Sequence, residues 1–195
     1  MQALLAELSA WSPVELIAAI LALAYLVLAA RQNYWCWPCA LVSTAIYLWL
    51  FFERALYQQS LLQVFYIAMA IYGWWHWRRG GAGDGALAVS RWQPAQHAAA
   101  AGLVLVLTLV TGWLEARFTP APFPYLDAFT TWGSVVTTWM VARKVLENWL
   151  YWLVVDSVMV YLSYVARLPA TVLLFVIYLG IVVAGFFAWR RSLYT

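Results

Sequence analysis

One carboxylate stands in the middle of an apolar stretch of this sequence. A helix is predicted over Asn148–Val165, and Asp156 would lie about 12 Å along its axis. A carboxylate at the centre of a membrane helix costs at least ~2.5 kcal/mol, so it is expected to face protein or water rather than lipid. Three roles fit this position: a counter-ion for a cationic solute, a proton site, or a protonated side chain that bonds a neighbouring helix.

Two further side chains share a helical face with this carboxylate. Asn148, Trp152 and Asp156 are four residues apart from one another, and Trp149 flanks them. An aromatic ring between an amide and a carboxylate suits a flat, cationic, hydroxylated solute, because the ring attracts the cation and the amide bonds hydroxyls. Both tryptophans also fit the aromatic belt of a membrane interface.

Two other segments concentrate polar residues at helical spacing. One stripe pairs polar groups with small residues, which suits either a binding site or close helix packing. The other is rich in hydroxyls, which can bind a solute or bond their own backbone. The stripe comprises Gln59, Gln63, Tyr66, Ala70, Gly73 and Trp77, and the second segment holds Thr130, Thr131, Trp132, Gly133, Ser134, Thr137 and Thr138. Asp127, just before it, is predicted to cap the helix.

The two cysteines form a CxxC element, Cys36-Trp37-Pro38-Cys39, which is typical of disulfide-exchange enzymes. Pro38 would fall in the first turn of a helix, where proline is well tolerated, and the chain has no second cysteine pair to pass electrons on. A membrane thiol-disulfide oxidoreductase using Cys36 and Cys39 therefore stays only as an alternative. No P-loop, HExxH, GxSxG or GxGxxG occurs, so we expect no enzyme activity, no cofactor and no metal.

The composition is that of a membrane protein. Of 195 residues, 66% are hydrophobic and 10% charged, whereas soluble domains carry about a quarter charged residues. The net charge of +3 is too small and dispersed to indicate nucleic acid. Seven segments suit membrane-spanning helices. They are Val14–Ala30, Tyr34–Phe52, Leu61–Trp77, His97–Ala116, Ala128–Ala142, Asn148–Val165 and Pro169–Trp189. Of the connections between them, 78–96 is Gly-rich and polar, and 118–124 holds three prolines that favour extended chain.

The basic residues indicate an orientation. With the N-terminus outside, eight of the eleven Lys and Arg residues fall on the cytoplasmic side and three (Arg54, Arg117 and Arg167) on the outer side. The positive-inside rule therefore predicts an outer N-terminus and a cytoplasmic C-terminus.

The sequence also repeats itself. Leu61–Arg79 and Leu173–Arg191, 112 residues apart, share eight of nineteen residues, and Ala30-Arg31 recurs as Ala142-Arg143. An offset of 115 aligns Asn33 and Trp37 with Asn148 and Trp152.

We therefore expect an all-α fold of seven transmembrane helices, in which two parallel three-helix repeats are joined by a linker helix (3+1+3). The predicted units are 1–80, 81–124 and 125–195. Parallel repeats are a transporter architecture, although duplication of a purely structural bundle gives the same pattern.

Two long runs resemble the PnuC family of bacterial vitamin transporters. They are LYQQSLLQVFYIAMAIYGWWHW and WGSVVTTWMVARKVLENWLYWLVVD, and the latter contains an ENWxxW element (Glu147, Asn148, Trp149 and Trp152). The resemblance implies a 3+1+3 fold related to the SWEET sugar transporters and a homotrimer in the bacterial inner membrane. It also implies uptake of nicotinamide riboside by facilitated diffusion, with the substrate trapped by a cytoplasmic kinase. Thiamine is the first alternative, followed by riboflavin and nucleosides.

The resemblance also assigns substrate-binding residues. They are Gln63, Tyr66, Trp132, Thr137, Asn148, Trp152 and Asp156, and the internal repeat adds Asn33 and Trp37.

Overall fold

Seven α-helices account for most of the chain that the structure describes. A computed structural model describes residues 12–53, 57–80 and 87–194, with only the backbone of residues 57 and 58. The helices are α1 (Pro13–Ala30), α2 (Cys36–Glu53), α3 (Tyr57–Arg79), α4 (Pro94–Phe118), α5 (Pro124–Ala142), α6 (Asn148–Val165) and α7 (Pro169–Arg191). Each corresponds to one predicted segment. Arg54, which entered the count of basic residues, lies outside the described residues.

Prolines set several helix starts. α1, α4, α5 and α7 each begin with proline, whose missing N–H costs nothing at the first helical position. α1 also has a capping box, in which Ser12 N donates to Glu15 Oε2 at 2.7 Å and Glu15 N donates to Ser12 Oγ at 3.2 Å. Pro124 begins α5 rather than ending the loop before it, so Asp127 is not the N-cap as predicted. It lies within the first turn of α5.

Four of the described helices are long and apolar enough to cross a membrane by length and composition: α1, α2, α4 and α7. α3, α5 and α6 do not reach that criterion, because their sequences hold many of the polar residues discussed above. They are 23, 19 and 18 residues long, and even the shortest would extend about 27 Å at 1.5 Å per residue.

We call α1–α3 and α5–α7 the two helix groups. α2 contacts both α1 and α3, and α6 contacts both α5 and α7. α1 contacts α7 and α3 contacts α5, which joins the groups along two seams, while α4 packs on α5.

The same local geometry recurs 112 residues along the chain. α2 and α6 begin and end 112 residues apart, as do α3 and α7, and α1 and α5 end at the same interval. Gln32 and Lys144 follow α1 and α5 at this interval, and both have a positive φ, 55° and 50°. The interval between equivalent residues therefore stays at 112 at the start of α6 and does not change to 115. The position equivalent to Trp37 is therefore Trp149, not Trp152 as the offset of 115 predicted.

Four buried tryptophans form a cluster where α3 and α7 end. Trp37 meets Trp77 edge to face at 5.4 Å between ring centroids, and Trp149 meets Trp189 in the same way at 5.3 Å. Trp77 and Trp189 then meet each other at 5.8 Å. Gly73 lies against the ring of Trp37 and Gly185 against that of Trp149, so a side chain larger than hydrogen would collide with either ring. We call Trp37, Trp77, Trp149 and Trp189 the tryptophan cluster.

The cluster also fastens one helix group to the other. Trp77 Nε1 donates to the carbonyl oxygen of Val141 at 3.1 Å, and Trp189 Nε1 donates to that of Ala29 at 2.9 Å. Both bonds run from the third helix of one group to the first helix of the other. These two hydrogen bonds hold the two helix groups together at this end of the bundle.

Candidate solute-binding cavity

A cavity of about 440 Å³ lies between the two helix groups, and we call it the central cavity. All the described helices except α4 contribute to its wall. The lining residues are Ala22, Tyr25, Leu26, Trp37, Ala40, Ser43, Thr44, Tyr47, Phe51, Gln59, Leu62, Gln63, Tyr66, Asp127, Thr130, Thr131, Ser134, Thr138, Trp152, Val155, Asp156, Met159, Phe175 and Tyr178. A volume of this size is typical of sites for drug-sized molecules.

Five of the nine predicted site residues meet at this cavity, although they are distant in sequence: Trp37, Gln63, Tyr66, Trp152 and Asp156. Trp152 and Asp156 share one face of α6, as the spacing predicted, while Gln63 and Tyr66 are presented by α3. Trp37 closes the side next to the tryptophan cluster.

Besides the indole N–H of Trp37, three buried polar side chains in the cavity wall have no hydrogen-bond or ion-pair partner in the part of the chain that the structure describes. They are Asp156, Gln63 and Thr138, with exposed fractions of 3%, 8% and 7%. By contrast, Ser43 Oγ donates to the carbonyl oxygen of Ala18 at 2.8 Å, and Thr44 Oγ1 to that of Ala40 at 2.8 Å. Buried polar groups are nearly always hydrogen-bonded in proteins, so the three unpaired groups indicate a polar ligand.

The structure places the other four predicted residues elsewhere. Asn148 is fully buried, and its Nδ2 donates to the carbonyl oxygen of Val145 at 2.6 Å. Thr137 donates to Gly133 at 2.6 Å within α5. Asn33 lies exposed in the loop before α2, where its Oδ1 accepts from Trp35 N at 3.0 Å. Trp132 lines a second cavity, and its Nε1 donates to Thr111 Oγ1 at 3.0 Å.

The four residues of the ENWxxW element therefore have different roles. Trp152 lines the cavity, Trp149 belongs to the tryptophan cluster, and Asn148 closes the turn before α6. Glu147 accepts a hydrogen bond from Arg91 Nε at 2.9 Å and one from the backbone N–H of Trp92 at 3.3 Å. Only one of its four residues can contact a solute in the central cavity.

Tyr25, Tyr47 and Tyr178 were not predicted, yet all three line the cavity. Only Tyr178 had a usable signal in the sequence. It lies 112 residues after Tyr66, so the repeat would have placed the pair on opposite sides of one site.

The second cavity, of about 390 Å³, adjoins the first and is called the side cavity. It lies between α3, α4 and α5, and includes Glu115, Thr111 and Trp132. Gln59, Leu62, Asp127 and Thr131 line both cavities, so these residues lie where the two spaces adjoin.

The loop before α4 packs beside the buried core that contains the tryptophan cluster. Residues 87–93 run along the α5–α6 junction, where Ser90 N donates to the carbonyl oxygen of Lys144 at 2.9 Å and Leu146 N to that of Ser90 at 2.8 Å. Lys144 Nζ donates to the carbonyl oxygen of Leu87 at 2.8 Å and lies 4.7 Å from the centroid of the Trp77 ring. Burial lowers the pKa of Lys144, and the hydrogen bond to Glu147 raises the pKa of Arg91. These charges fasten the loop rather than reach the cavity.

Nothing in the described residues suggests a metal or redox centre. No three His, Cys, Asp or Glu side chains there are placed to hold a metal ion. Cys36 is buried, Cys39 is half-buried, and neither is in a disulfide. The predicted first-turn position of Pro38 is confirmed, since α2 begins at Cys36.

The comparison that decides the family concerns nearly the whole chain. Residues 12–191 match the family described as nicotinamide mononucleotide transporter. The chain belongs to this family. The resemblance to PnuC proteins seen in the sequence is confirmed, and this nicotinamide mononucleotide transporter family member is a multi-pass membrane transporter rather than an enzyme. The redox interpretation of Cys36 and Cys39 is thereby set aside.

Relatives in the nicotinamide mononucleotide transporter family have different solutes in their names. The chain is 31% identical over 186 residues to the riboflavin/roseoflavin transporter RibM of Streptomyces davaonensis, covering 92% of this chain and 84% of RibM. It is 27% identical over 211 residues to the nicotinamide riboside transporter PnuC of Escherichia coli K12, covering 95% and 87%. The crystal structure of the vitamin B3 transporter PnuC superposes with a TM-score of 0.72 at 21% identity, covering 92% of this chain and 81% of that one. The fold is therefore shared.

Proposed function

We propose that this transporter takes up nicotinamide riboside, whose flat aromatic ring carries a fixed positive charge. The observation that carries the proposal is Asp156, a buried carboxylate in the wall of the central cavity with no partner among the described residues. An ionised carboxylate so enclosed requires a compensating charge. A cationic solute in the cavity supplies one.

The surroundings of Asp156 suit the rest of such a ring. Trp152 lies one helical turn away on the same cavity wall, and tryptophan attracts cations more strongly than the other aromatic side chains do. The ring would lie against Trp152, and its charge would face Asp156.

Asp156→Asn tests the charge because it keeps the shape and hydrogen-bonding capacity of the side chain. We expect the variant to bind nicotinamide riboside several-fold to a hundredfold more weakly, corresponding to ~1–3 kcal/mol. Binding of the uncharged riboside with a reduced ring should change little. Titration calorimetry on the purified protein measures both.

The control for this variant is Glu53→Gln, which makes the same chemical change at an exposed position outside both cavities. It should leave both affinities unaltered. Equal losses toward the charged and the reduced ligand in Asp156→Asn would contradict the counter-ion role.

Riboflavin is the second candidate, because RibM is 31% identical to this chain. The flavin ring is uncharged, so Asp156→Asn should then leave affinity unchanged or improve it. Thiamine, like nicotinamide riboside, is a cationic aromatic and would respond to Asp156→Asn in the same direction. A thermal-shift panel of the three vitamins on the wild-type protein ranks them directly.

Transport by facilitated diffusion, with the product trapped by a cytoplasmic kinase, is part of the proposal. It is supported by a sequence without a nucleotide-binding motif. Proteoliposomes without ion or voltage gradients should equilibrate the vitamin but not concentrate it. Accumulation driven by a proton or sodium gradient would contradict passive transport.

We further propose that all seven helices span the bacterial inner membrane as a 3+1+3 arrangement, with units 1–80, 81–124 and 125–195. The recurrence of helix ends, tryptophan contacts and cross-group hydrogen bonds at 112 residues supports this. The count of basic residues supports an outer N-terminus and a cytoplasmic C-terminus, which a phosphatase fusion at the C-terminus would test. A homotrimer is expected from the resemblance alone, and mass photometry in detergent would test it.

A further inference from the structure

Three stacked rings cross the seam between α3 and α5, at the end of the bundle where both helices end. His76 stacks on Tyr72 with ring centroids 5.1 Å apart, and Tyr72 stacks on Trp139 at 5.4 Å, with interplanar angles of 15° and 9°. The guanidinium carbon of Arg143 lies 5.6 Å from the centroid of a Trp139 ring. We call Tyr72, His76, Trp139 and Arg143 the seam stack. It joins α3 of one helix group to the end of α5 in the other.

The seam stack has an exposed side. Trp139 is 40% exposed and Arg143 is exposed, whereas Tyr72 and His76 are partly exposed. Arg79, also exposed, follows His76 by three residues and therefore lies on the same face of α3. The side chain of Arg143 makes no hydrogen bond or ion pair within the described residues. Its guanidinium thus has N–H donors available beside exposed aromatic surface.

The seam between α1 and α7 has the same arginines but not the rings. At the interval of 112, Arg143 corresponds to Arg31 and Arg79 to Arg191, and all four are exposed. The positions equivalent to the three rings of the seam stack carry small aliphatic residues. They are Ala184, Ala188 and Val27. Positive charge is therefore present at both seams, but an aromatic surface that holds an arginine in place is present at one.

The chemistry of the seam stack matches the surface of a membrane. A guanidinium offers paired N–H donors that fit the oxygens of a phosphate group. Tryptophan and tyrosine suit the depth of lipid headgroups, because one part of each ring system is apolar and the other polar. Basic pockets between membrane helices bind anionic headgroups for the same reasons. Arg143 directly follows the last residue of α5, so it lies where the apolar segment ends.

We propose that the seam stack binds the headgroup of an anionic phospholipid, with the phosphate on Arg143 and the glycerol and upper acyl chain along the ring of Trp139. Arg79 adds a second positive charge from the facing helix. A lipid in this place contacts both helix groups and stabilises their contact along this seam. The inference does not depend on which solute occupies the central cavity.

The experiment measures the melting temperature of the purified full-length protein in detergent with added phosphatidylglycerol or phosphatidylcholine. Phosphatidylglycerol should raise the melting temperature of the wild type more than phosphatidylcholine does. Arg143→Gln removes the charge, and Trp139→Val gives α5 the residue that α1 has at Val27. Each variant should lose roughly half or more of the extra gain. In native mass spectrometry, Arg143→Gln should bind phosphatidylglycerol about fivefold more weakly, the effect of one basic residue near a headgroup.

The matched control is Arg31→Gln, which removes the same charge at the seam without rings and should keep most of the gain. Because each variant is compared in the two lipids, a general loss of stability cancels. Equal losses in Arg143→Gln and Arg31→Gln would show a general effect of surface charge and overturn the proposal. So would equal gains from the two lipids in the wild type. Glycerol 1-phosphate, an anionic group without acyl chains, should give no gain at the same concentration. A gain as large as that from phosphatidylglycerol would assign the site to a soluble anion and contradict a lipid site.

Discussion

The tryptophan cluster and the central cavity are both built from pairs of positions 112 residues apart, but they use those pairs differently. In the cluster, Trp37 and Trp77 correspond to Trp149 and Trp189, and the ring geometry is the same on both sides, with interplanar angles of 86° and 89°. In the cavity, eight pairs of lining residues are related by this interval, and Tyr66 and Tyr178 form the one pair of identical residues. Equivalent positions thus carry identical side chains in the tryptophan cluster but mostly different side chains in the central cavity.

This difference follows from what each region contacts. The cluster joins two equivalent helix groups, so one packing solution serves both sides. A solute such as a riboside has a charged ring at one end and hydroxyls at the other, and it cannot match a cavity whose two sides are alike. We infer that the identical pairs of the cluster serve packing, and that most cavity pairs differ because the cavity serves binding.

The largest expected effects are on protein stability, and they come from substitutions in the tryptophan cluster. Trp77→Ala and Trp189→Ala each remove a buried ring and a hydrogen bond to the other helix group. Each should lower the free energy of unfolding by roughly 3–5 kcal/mol, and the two losses should be similar. Trp113→Ala, at an exposed position on α4, should cost much less. Denaturation in mixed micelles measures all three, and a large loss in only one of the cluster variants would break the equivalence.

The two glycines beneath the cluster give a sharper test with smaller effects. Gly73→Ala and Gly185→Ala place a methyl group against the ring of Trp37 or Trp149, which should cost about 1–3 kcal/mol of unfolding free energy. Gly102 and Gly180 are also helical but have open space around them, so Ala there should be neutral or stabilising. Similar stabilities for all four variants would show that the close contacts do not matter.

The role of the central cavity in binding is tested by making the two residues of one equivalent pair identical. Trp152→Ala gives α6 the residue that α2 already has at Ala40. Binding of the cationic vitamin should weaken by ~1–2 kcal/mol because the cation–π contact is lost, while the melting temperature stays near that of the wild type. Unchanged affinity in a folded variant would remove Trp152 from the site.

The smallest expected effect is a pH dependence of stability caused by Lys144. Its equivalent in the first helix group, Gln32, carries no charge. Burial lowers the pKa of Lys144, so between the folded and unfolded pKa values the unfolded chain binds more protons. The free energy of unfolding contributed by Lys144 should therefore rise as pH increases through that interval toward its ordinary value of 10.5. In thermal melts taken from neutral pH upward, the wild type should gain stability relative to Lys144→Met. A stability difference that stays constant with pH would argue against a buried lysine.

Much of the architecture could be predicted from sequence patterns. Runs of apolar residues located all seven helices, because a membrane-length helix needs about 20 such residues wherever it packs. The repeat of Leu61–Arg79 gave the interval of 112 that the helix ends follow. The error in helix bounds that changed a residue's role was at α5, where Pro124 starts the helix and places Asp127 inside the first turn rather than at its cap.

The site was only partly predictable, as two pairs of residues show. Asn148 and Trp152 are one turn apart on α6, yet only Trp152 reaches the cavity, because the first turn of α6 packs against the α5–α6 junction. Thr137 and Thr138 are adjacent in α5, but one bonds its own backbone and the other lines the cavity. Helical periodicity gives the direction of a side chain relative to its own axis, not what lies opposite it.

By itself, the sequence determined a membrane-embedded helical transporter with a segment repeated at an interval of 112 and a carboxylate in an apolar helix, because hydrophobicity, identity at a fixed interval and the cost of burying charge are local or linear properties. The tertiary structure alone decided that Asp156, Gln63 and Thr138 line a single cavity while Asn148 and Thr137 do not. That choice depends on where helices from the two groups cross. The two groups are joined by contacts such as Trp77 Nε1 with the carbonyl oxygen of Val141 and Trp189 Nε1 with that of Ala29, between residues far apart in the chain.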